Sequence, residues 1–391
     1  MSRRPRLLML SPRNPAPPTR GDQVRVYHLA RALSARADVM LVCFGAESGA
    51  SLPGVALRSV PRGVLPAAVA NLRAPNPLLP LQTRLYLDGR MHDVVRAAMG
   101  GFEPDVLHVT LARMAPYMRH APPGVHVHLD FVDALSLNMA SRANRSRFPP
   151  SSAFALEARL MARYEARVAA AADTTSVVSE RDRLASPGLA RATVIPNGVA
   201  LDDLPYAEPS RRAANAIFFG NLGYFHNVAP ARLVALEVLP RLRRLAPEAS
   251  LRIAGARPAA AVRDLAGRDG IEVAADVPSM SAELHRAAVA VLPASSGSGI
   301  KNKVLEAFAA GTPVVTNRAG IDGIVGAQDR VHYLEAEGAD ALAEASARLL
   351  ADADERVRIA AAARALVERE YGWERRADAL LELYGLGGRT A

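Results

Sequence analysis

Two lysines and a glutamate, set just after a glycine-rich loop, are the residues of this chain best placed to do chemistry. From Leu292 to Val315 the pattern reads strand, Gly/Ser loop, helix, turn, strand. Gly297, Ser298 and Gly299 lie in the loop, and Ile300, Lys301, Asn302 and Lys303 lead into the helix. Glycines remove side chains where a backbone must approach a ligand, and the start of a helix points free N–H groups at the same place. Together these make an anion site. Lys301 and Lys303 are the only lysines in a chain that otherwise uses arginine for positive charge. Cations in a first helical turn oppose the helix dipole unless a negative ligand is present. Lys303 and Glu306, three apart, share a helix face, while Val304, Leu305 and Phe308 form the buried side. A phosphate-binding loop followed by a carboxylate that accepts hydrogen bonds from vicinal hydroxyls suits a ribose diphosphate. The plain alternative is a strand–turn–helix connection with an exposed ion pair. Neither a full Gly-x-x-x-x-Gly-Lys-Ser/Thr loop nor a full Gly-x-Gly-x-x-Gly pattern is present, which weighs against ATPases and dinucleotide dehydrogenases.

A second polar constellation is Val125-His126-Val127-His128-Leu129-Asp130-Phe131-Val132-Asp133. Strand alternation places His126 and His128 on one face, with Asp130 where the strand ends and Asp133 just beyond. In the plain reading an aspartate caps the next helix and the histidines are structural. His108 ends another strand. Asp352-Ala353-Asp354 lies in a charged helical stretch and reads as solvated surface. No spaced Cys/His ligand set occurs, so no metal is expected. The single cysteine, Cys43, sits in an apolar run and reads as a buried strand thiol rather than a nucleophile.

These groups need a scaffold, and the pattern around them supplies one. Short β-branched runs alternate with helical stretches throughout, the signature of parallel α/β sheets. Strands are expected near 6–11, 39–44, 55–60, 106–109, 125–129, 175–178 and 193–196, then near 216–219, 251–254, 271–273, 289–292 and 313–316. Asp22 is the expected cap of the first helix, whose Val26, Leu29, Ala30 and Leu33 make one apolar face. A polar, proline-containing stretch after Val199 reads as a linker between two halves. At 391 residues the chain is long enough for two cores, and half of it is hydrophobic. Ligands of such sheets bind at the carboxyl ends of the strands.

A net charge of +9 and a pI near 10.1 invite a nucleic-acid reading. The arginines are scattered and no aromatic-and-basic platform appears, so no nucleic-acid partner is expected. The basic then apolar start, up to Leu10, is too short for a signal peptide and reads as a first strand; a cytoplasmic location is expected. Arg62, Arg73, Arg84, Arg90 and Arg96, interleaved with Leu, Val and Pro, are candidates for weak, salt-sensitive contact with anionic lipid. A solvated loop and helix explain them equally well.

The Gly-Ile-Lys-Asn-Lys-Val-Leu-Glu-Ala wording resembles the donor-binding motif of family-4 retaining glycosyltransferases, closest to the exopolysaccharide-associated sugar transferases. The likeness runs along nearly the whole chain, through the Gly21-Asp22-Gln23-Val24-Arg25 loop, Ile195-Pro196-Asn197-Gly198-Val199 and Tyr371-Gly372-Trp373-Glu374. It implies a GT-B fold, two Rossmann-like parallel-sheet domains facing a cleft. The expected division is an acceptor-side domain over 1–200, a donor domain over 201–371, and a C-terminal helix over 372–391 crossing back to the first. The implied activity is metal-independent transfer, with retained configuration, from a nucleotide-diphosphate sugar to a glycan, lipid-linked or small-molecule acceptor. A sugar-nucleotide epimerase on the same fold is the alternative, followed by a nucleic-acid-binding protein. The implied co-substrate is the nucleotide sugar, without a cofactor.

By the same resemblance Glu306 holds the ribose hydroxyls, and Ser298 replaces the glutamate that touches the donor sugar. Gly21 faces the donor phosphates. Asn221 and His226 stand where typical members carry an Arg and a Lys, which leaves the diphosphate charge to Lys303, Lys301 and backbone N–H groups. Donor binding is thus expected from Gly21, Asn221, His226, Gly297, Ser298, Gly299, Ile300, Lys301, Asn302 and Glu306. Lys303 and Asp130 are the expected catalytic pair, Asp130 as a sugar-orienting group.

Overall fold

The computed structural model describes residues 3–18, 20–45, 52–62, 79–145, 150–210, 212–294 and 301–387. Two compact units emerge, one of Met1–Asn197 with Trp373–Ala391 and one of Gly198–Gly372.

The first unit is built on a seven-stranded sheet: β1 (Arg6–Ser11), β2 (Asp38–Phe44), β3 (Val55–Val60), β4 (Val106–Thr110), β5 (His126–Asp130), β6 (Thr174–Val177) and β7 (Thr193–Val194). The order is β3-β2-β1-β4-β5-β6-β7 and every pairing is parallel. Central strands covered on both faces must be apolar on both, and Leu7 to Leu10 are all fully buried. The helix Gly21–Ser34 buries Val26, Leu29, Ala30 and Leu33, together with Arg25. Asp22 does not cap it. The cap position is Arg20, which makes no side-chain cap bond, and Asp22 instead pairs with Arg13 at 3.3 Å. Cys43 is buried in β2, where burial pushes its thiol up to about 11. The helix Trp373–Leu383 packs on the helix Gly21–Ser34 within this unit.

The second unit carries β8 (Asn215–Phe219), β9 (Ser250–Gly255), β10 (Ile271–Ala275), β11 (Val289–Val291), β12 (Val314–Thr316) and β13 (Leu334–Glu335). Their order is β10-β9-β8-β11-β12-β13, again all parallel. Each unit has its own hydrophobic core. In both sheets the chain winds outward first to one side and then to the other. The reversal falls between β1 and β4 in the first unit and between β8 and β11 in the second, and such switch points open a crevice at the carboxyl ends of the strands. The Asp352 side chain caps the helix Ala353–Glu370 by accepting from the Glu355 N–H, which gives the first aspartate of the Asp-Ala-Asp triplet a structural job.

The helix Asn302–Ala310 ends on Gly311 in the left-handed conformation, with φ +74°. A Cβ there would stand 2.7 Å from the Ala207 carbonyl oxygen and 2.7 Å from the Tyr206 ring. Gly311→Ala is therefore expected to cost more than about 1 kcal/mol, read as a lowered thermal midpoint. An unchanged midpoint would show that this cap does not hold the helix in place.

Candidate functional site

At the switch point of the second unit, β8 and β11 lie side by side and the helix Asn302–Ala310 follows β11. Lys303 and Glu306 are half-buried on that helix, while Val304, Leu305 and Phe308 are fully buried in the core. The Lys303 ammonium sits 4.5 Å from the centre of the Phe218 ring on β8 and donates to the Asn227 Oδ1 at 3.3 Å. A cation over an aromatic face is stabilised by the ring quadrupole. Burial still dominates its ionisation: it pushes Lys303 down to about 7, Lys301 adds to the shift, and Glu306 opposes it. Burial likewise pushes Glu306 up to about 7, against the pull of Lys303. Two groups poised near neutrality beside each other at a sheet's carboxyl edge are the physical pattern of a candidate functional site.

Asn227, which directly follows His226 in the helix Phe225–Leu233, is not among the residues expected from the sequence. Its Oδ1 meets Lys303 and its Nδ2 donates to the Asn221 carbonyl at 2.9 Å. One amide thus ties the loop after β8 to the helix after β11. The Asn221 Oδ1 accepts from the Gly223 N–H at 3.2 Å, shaping the same loop. The His226 ring lies 5.0 Å from that of Tyr224. The loop presses close to the tip of β9: a Cβ on Gly255, at φ +149°, would fall 1.8 Å from the Gly220 carbonyl oxygen. Lys301 stands at the N-cap of the helix and Asn302 opens it, without a side-chain cap bond from Lys301. Gly297, Ser298, Gly299 and Ile300 lie outside the described residues.

In the first unit, Gly21 opens the helix Gly21–Ser34, and a Cβ added there would meet nothing within 4 Å. No packing among the described residues requires a glycine at that position. Asp130 requires a correction. It is fully buried rather than presented at an open strand end, and its carboxylate is already engaged. The Arg25 Nε donates to Oδ2 at 2.6 Å, its Nη2 to Oδ1 at 3.2 Å, and the Ser176 hydroxyl to Oδ1 at 3.0 Å. Burial alone would raise this carboxyl, but the Arg25 guanidinium outweighs it and holds it at about 2. A buried carboxylate so committed anchors the strand end and has no free edge for a sugar hydroxyl. His128 accepts the same plain reading: it contacts Thr174 and Ser176, and His126 also reaches Thr174. His108 is buried against the Tyr384 hydroxyl at 2.6 Å, and burial pushes it down to about 4. Asp133 is half-buried just past Val132, whose φ of +60° is rare for a β-branched residue.

Among the described residues there is no cluster of three or more His, Cys, Asp or Glu placed to hold a metal ion. Nor is any described helix long and apolar enough to cross a membrane. Of the arginines considered for lipid contact, Arg90 pairs with Asp88 and Arg96 with Asp93, Arg62 lies over the Tyr86 ring, and Arg73 falls outside the described residues.

Comparison with known proteins matches both halves of the chain. Residues 19–203 fit the family model for Glycosyltransferase Family 4, and residues 213–352 fit that for Glycosyl transferases group 1. Glycogen synthase from Mycobacterium tuberculosis is 33% identical over 54% of this chain and 52% of its own length, so the likeness spans about half of that relative. D-inositol 3-phosphate glycosyltransferase from Xylanimonas cellulosilytica is 30% identical over 93% of this chain and 91% of its own. Among solved structures, sucrose-phosphate synthase from Thermosynechococcus elongatus superposes with a TM-score of 0.71 at 16% identity, covering 98% of each chain. HepE from Anabaena, solved with UDP and glucose, gives 0.68 at 12% identity over 97% of this chain and 99% of its own. At these identities the likeness shows the fold alone, and that fold is GT-B. With both halves matched by family models and a relative aligned over nearly its whole length, the chain belongs to the family-4, group-1 glycosyltransferases.

Proposed function

We propose that this glycosyltransferase takes its sugar from a nucleotide-diphosphate donor and transfers it with retained configuration, with the donor diphosphate at Lys303 and the ribose at Glu306. The observation that carries this reading is the Lys303–Glu306 pair, half-buried at the β8/β11 switch point and poised near neutrality. A diphosphate supplies the negative charge that a desolvated ammonium lacks, and the carboxylate matches vicinal hydroxyls. The same reading assigns Lys301, Asn302, Asn221, His226, Asn227 and the 297–300 stretch to donor binding, and Gly21 to the donor phosphates. Support comes from HepE, solved with UDP and glucose, and from an E. coli trehalose-6-phosphate structure bound with UDP-2-fluoro glucose. Departure of the nucleoside diphosphate and attack from the same face need charge stabilisation at the leaving group more than a strong base.

The test is a donor screen that reads release of nucleoside diphosphate, with and without candidate acceptors. Release that depends on acceptor is expected. Conversion of the donor sugar to an epimer without any acceptor would replace transfer by isomerisation. Metal independence belongs to the same proposal: turnover should persist in excess chelator. Loss of turnover on chelation, restored by magnesium or manganese, would defeat that part of it.

A further inference from the structure

The switch point of the first unit holds a second convergence of charge, one the donor reading does not use. Arg13 follows β1 and Arg113 follows β4, the two strands between which the sheet reverses direction; Arg62 follows β3. All three guanidiniums meet on one side chain, the buried Tyr86. The Arg13 Nη2 lies 3.5 Å from its hydroxyl and the Arg113 Nη1 3.4 Å. Arg62 sits over its ring, 4.1 Å from the centre, and Arg113 is 5.1 Å from the same centre. Among the described residues the carboxylate in contact with these three cations is Asp22, on Arg13. Among the described residues the buried Arg113 Nε has no hydrogen-bond acceptor, and Arg62 donates to the Leu85 carbonyl.

Like charges gathered at a sheet's carboxyl edge with one counter-charge repel one another unless an anion joins them. Backbone strain aims one of them. Leu111, between β4 and Arg113, has φ +69° and ψ +139°, a conformation nearly reserved for glycine. Such a residue costs on the order of 1–3 kcal/mol and persists where its surroundings hold it, commonly at ligand sites.

We propose that Arg13, Arg62 and Arg113, arranged around Tyr86, form the acceptor site and recognise a phosphate group carried by the acceptor. The assignment of this anion to the acceptor rests on the donor being bound at Lys303 and Glu306. Guanidinium forks match phosphate oxygens bidentately, and the Tyr86 hydroxyl between two of them supplies a further donor. The field of the cluster is felt by the phenol itself: burial would raise it, yet Arg113 and Arg13 bring it down to about 8. Phosphate can reach such a site on a soluble sugar or polyol phosphate, or at the head of a lipid carrier.

The test is titration of the whole chain with two probes, a soluble hexose monophosphate and phosphatidylcholine vesicles doped with a polyprenyl phosphate. The unphosphorylated hexose and undoped vesicles serve as controls. Wild type should bind one of the phosphorylated probes and neither control; the soluble probe marks a free acceptor and the doped vesicles a lipid-linked one. Arg113→Gln should weaken that binding about tenfold to a hundredfold, the scale of one charge-assisted contact, and leave nucleoside diphosphate affinity within about twofold. Lys303→Ala should do the reverse, so failure of the donor reading shows up separately. Tyr86→Phe, which keeps the ring under Arg62, should also weaken the phosphorylated probe while leaving the thermal midpoint near wild type. Binding of neither phosphorylated probe, or equal affinity in wild type and in a folded Arg113→Gln and Tyr86→Phe, would overturn the proposal.

Discussion

Lys303→Ala is expected to lower kcat/KM by ~10²–10³, the usual scale for removing one preorganised electrostatic contact to a developing charge. Glu306→Gln keeps the shape and loses the charge-assisted bonds to ribose, so it should weaken nucleoside diphosphate binding by about 1.5–3 kcal/mol. Both variants should melt normally, because the fully buried side of the helix is Val304, Leu305 and Phe308. Lys301→Ala should have the smaller effect of the two lysine changes. The pH dependence sharpens the expectation. Lys303 ionises at about 7 in the free protein, and a bound diphosphate raises that value by stabilising the ammonium. Affinity on this account is full below about pH 7 and falls as the pH climbs. Glu306 also ionises at about 7, and ribose hydroxyls favour the carboxylate, lowering that value. Affinity on this account falls as the pH drops below 7. Nucleotide affinity should therefore peak near neutrality, with Lys303→Ala losing the alkaline flank and Glu306→Gln the acidic one. Calorimetric titration across pH reads both flanks. A flat profile in wild type, with unchanged affinity in both variants, would place the donor elsewhere.

Why that pair could be read in the sequence, and other parts of the site could not, is a matter of distance along the chain. Lys303 and Glu306 are neighbours by helical geometry, and an i, i+3 relation is visible in one dimension. The strands were legible for a similar reason: continuous apolar runs such as Leu7–Leu10 admit few other readings, and β1 and β3 fall where the pattern puts them. The two-residue β13 is too short to leave a pattern. Asn227 was invisible because its partner lies 76 positions away, and the convergence of Arg13, Arg62 and Arg113 on Tyr86 because three separate strand ends deliver them. Asp130 shows the converse error. A carboxylate at a strand end looks available until a guanidinium from 105 positions upstream arrives to neutralise it. Arginine is almost never fully buried without a partner, so nothing in the local sequence marks Arg25 as an interior residue.

That buried pair carries the second large expectation. Arg25 is fully buried, and besides its two bonds to Asp130 its Nη1 donates to the Pro196 carbonyl at 3.3 Å and the Asn197 Oδ1 at 3.0 Å. It thus joins the helix Gly21–Ser34, the end of β5 and the last residues before the chain leaves the first unit. Removing one partner of a buried pair strands the other charge, and Arg25→Met is expected to cost about 3–5 kcal/mol at neutral pH. The sign of the pH dependence separates a true ion pair from mere packing. In wild type the Asp130 carboxyl is held at about 2, below its ordinary value. The pair's contribution is present above about pH 4 and is lost as the pH falls toward 2. In Arg25→Met the guanidinium is gone, and burial, the largest influence, outweighs the pull of His108 and His128 and raises the carboxyl above its ordinary value. Protonation then favours the folded chain, so the variant should gain stability on mild acidification from neutrality, a gain absent from wild type, whose pair is unchanged above about pH 4. Asp130→Asn combined with Arg25→Met removes both charges, and the double variant should lose less than the two single losses added together. Urea midpoints of the four proteins at neutral and mildly acidic pH read all of this. Parallel pH slopes in wild type and Arg25→Met, with additive losses in the double variant, would mean that the contact contributes by packing and not by charge.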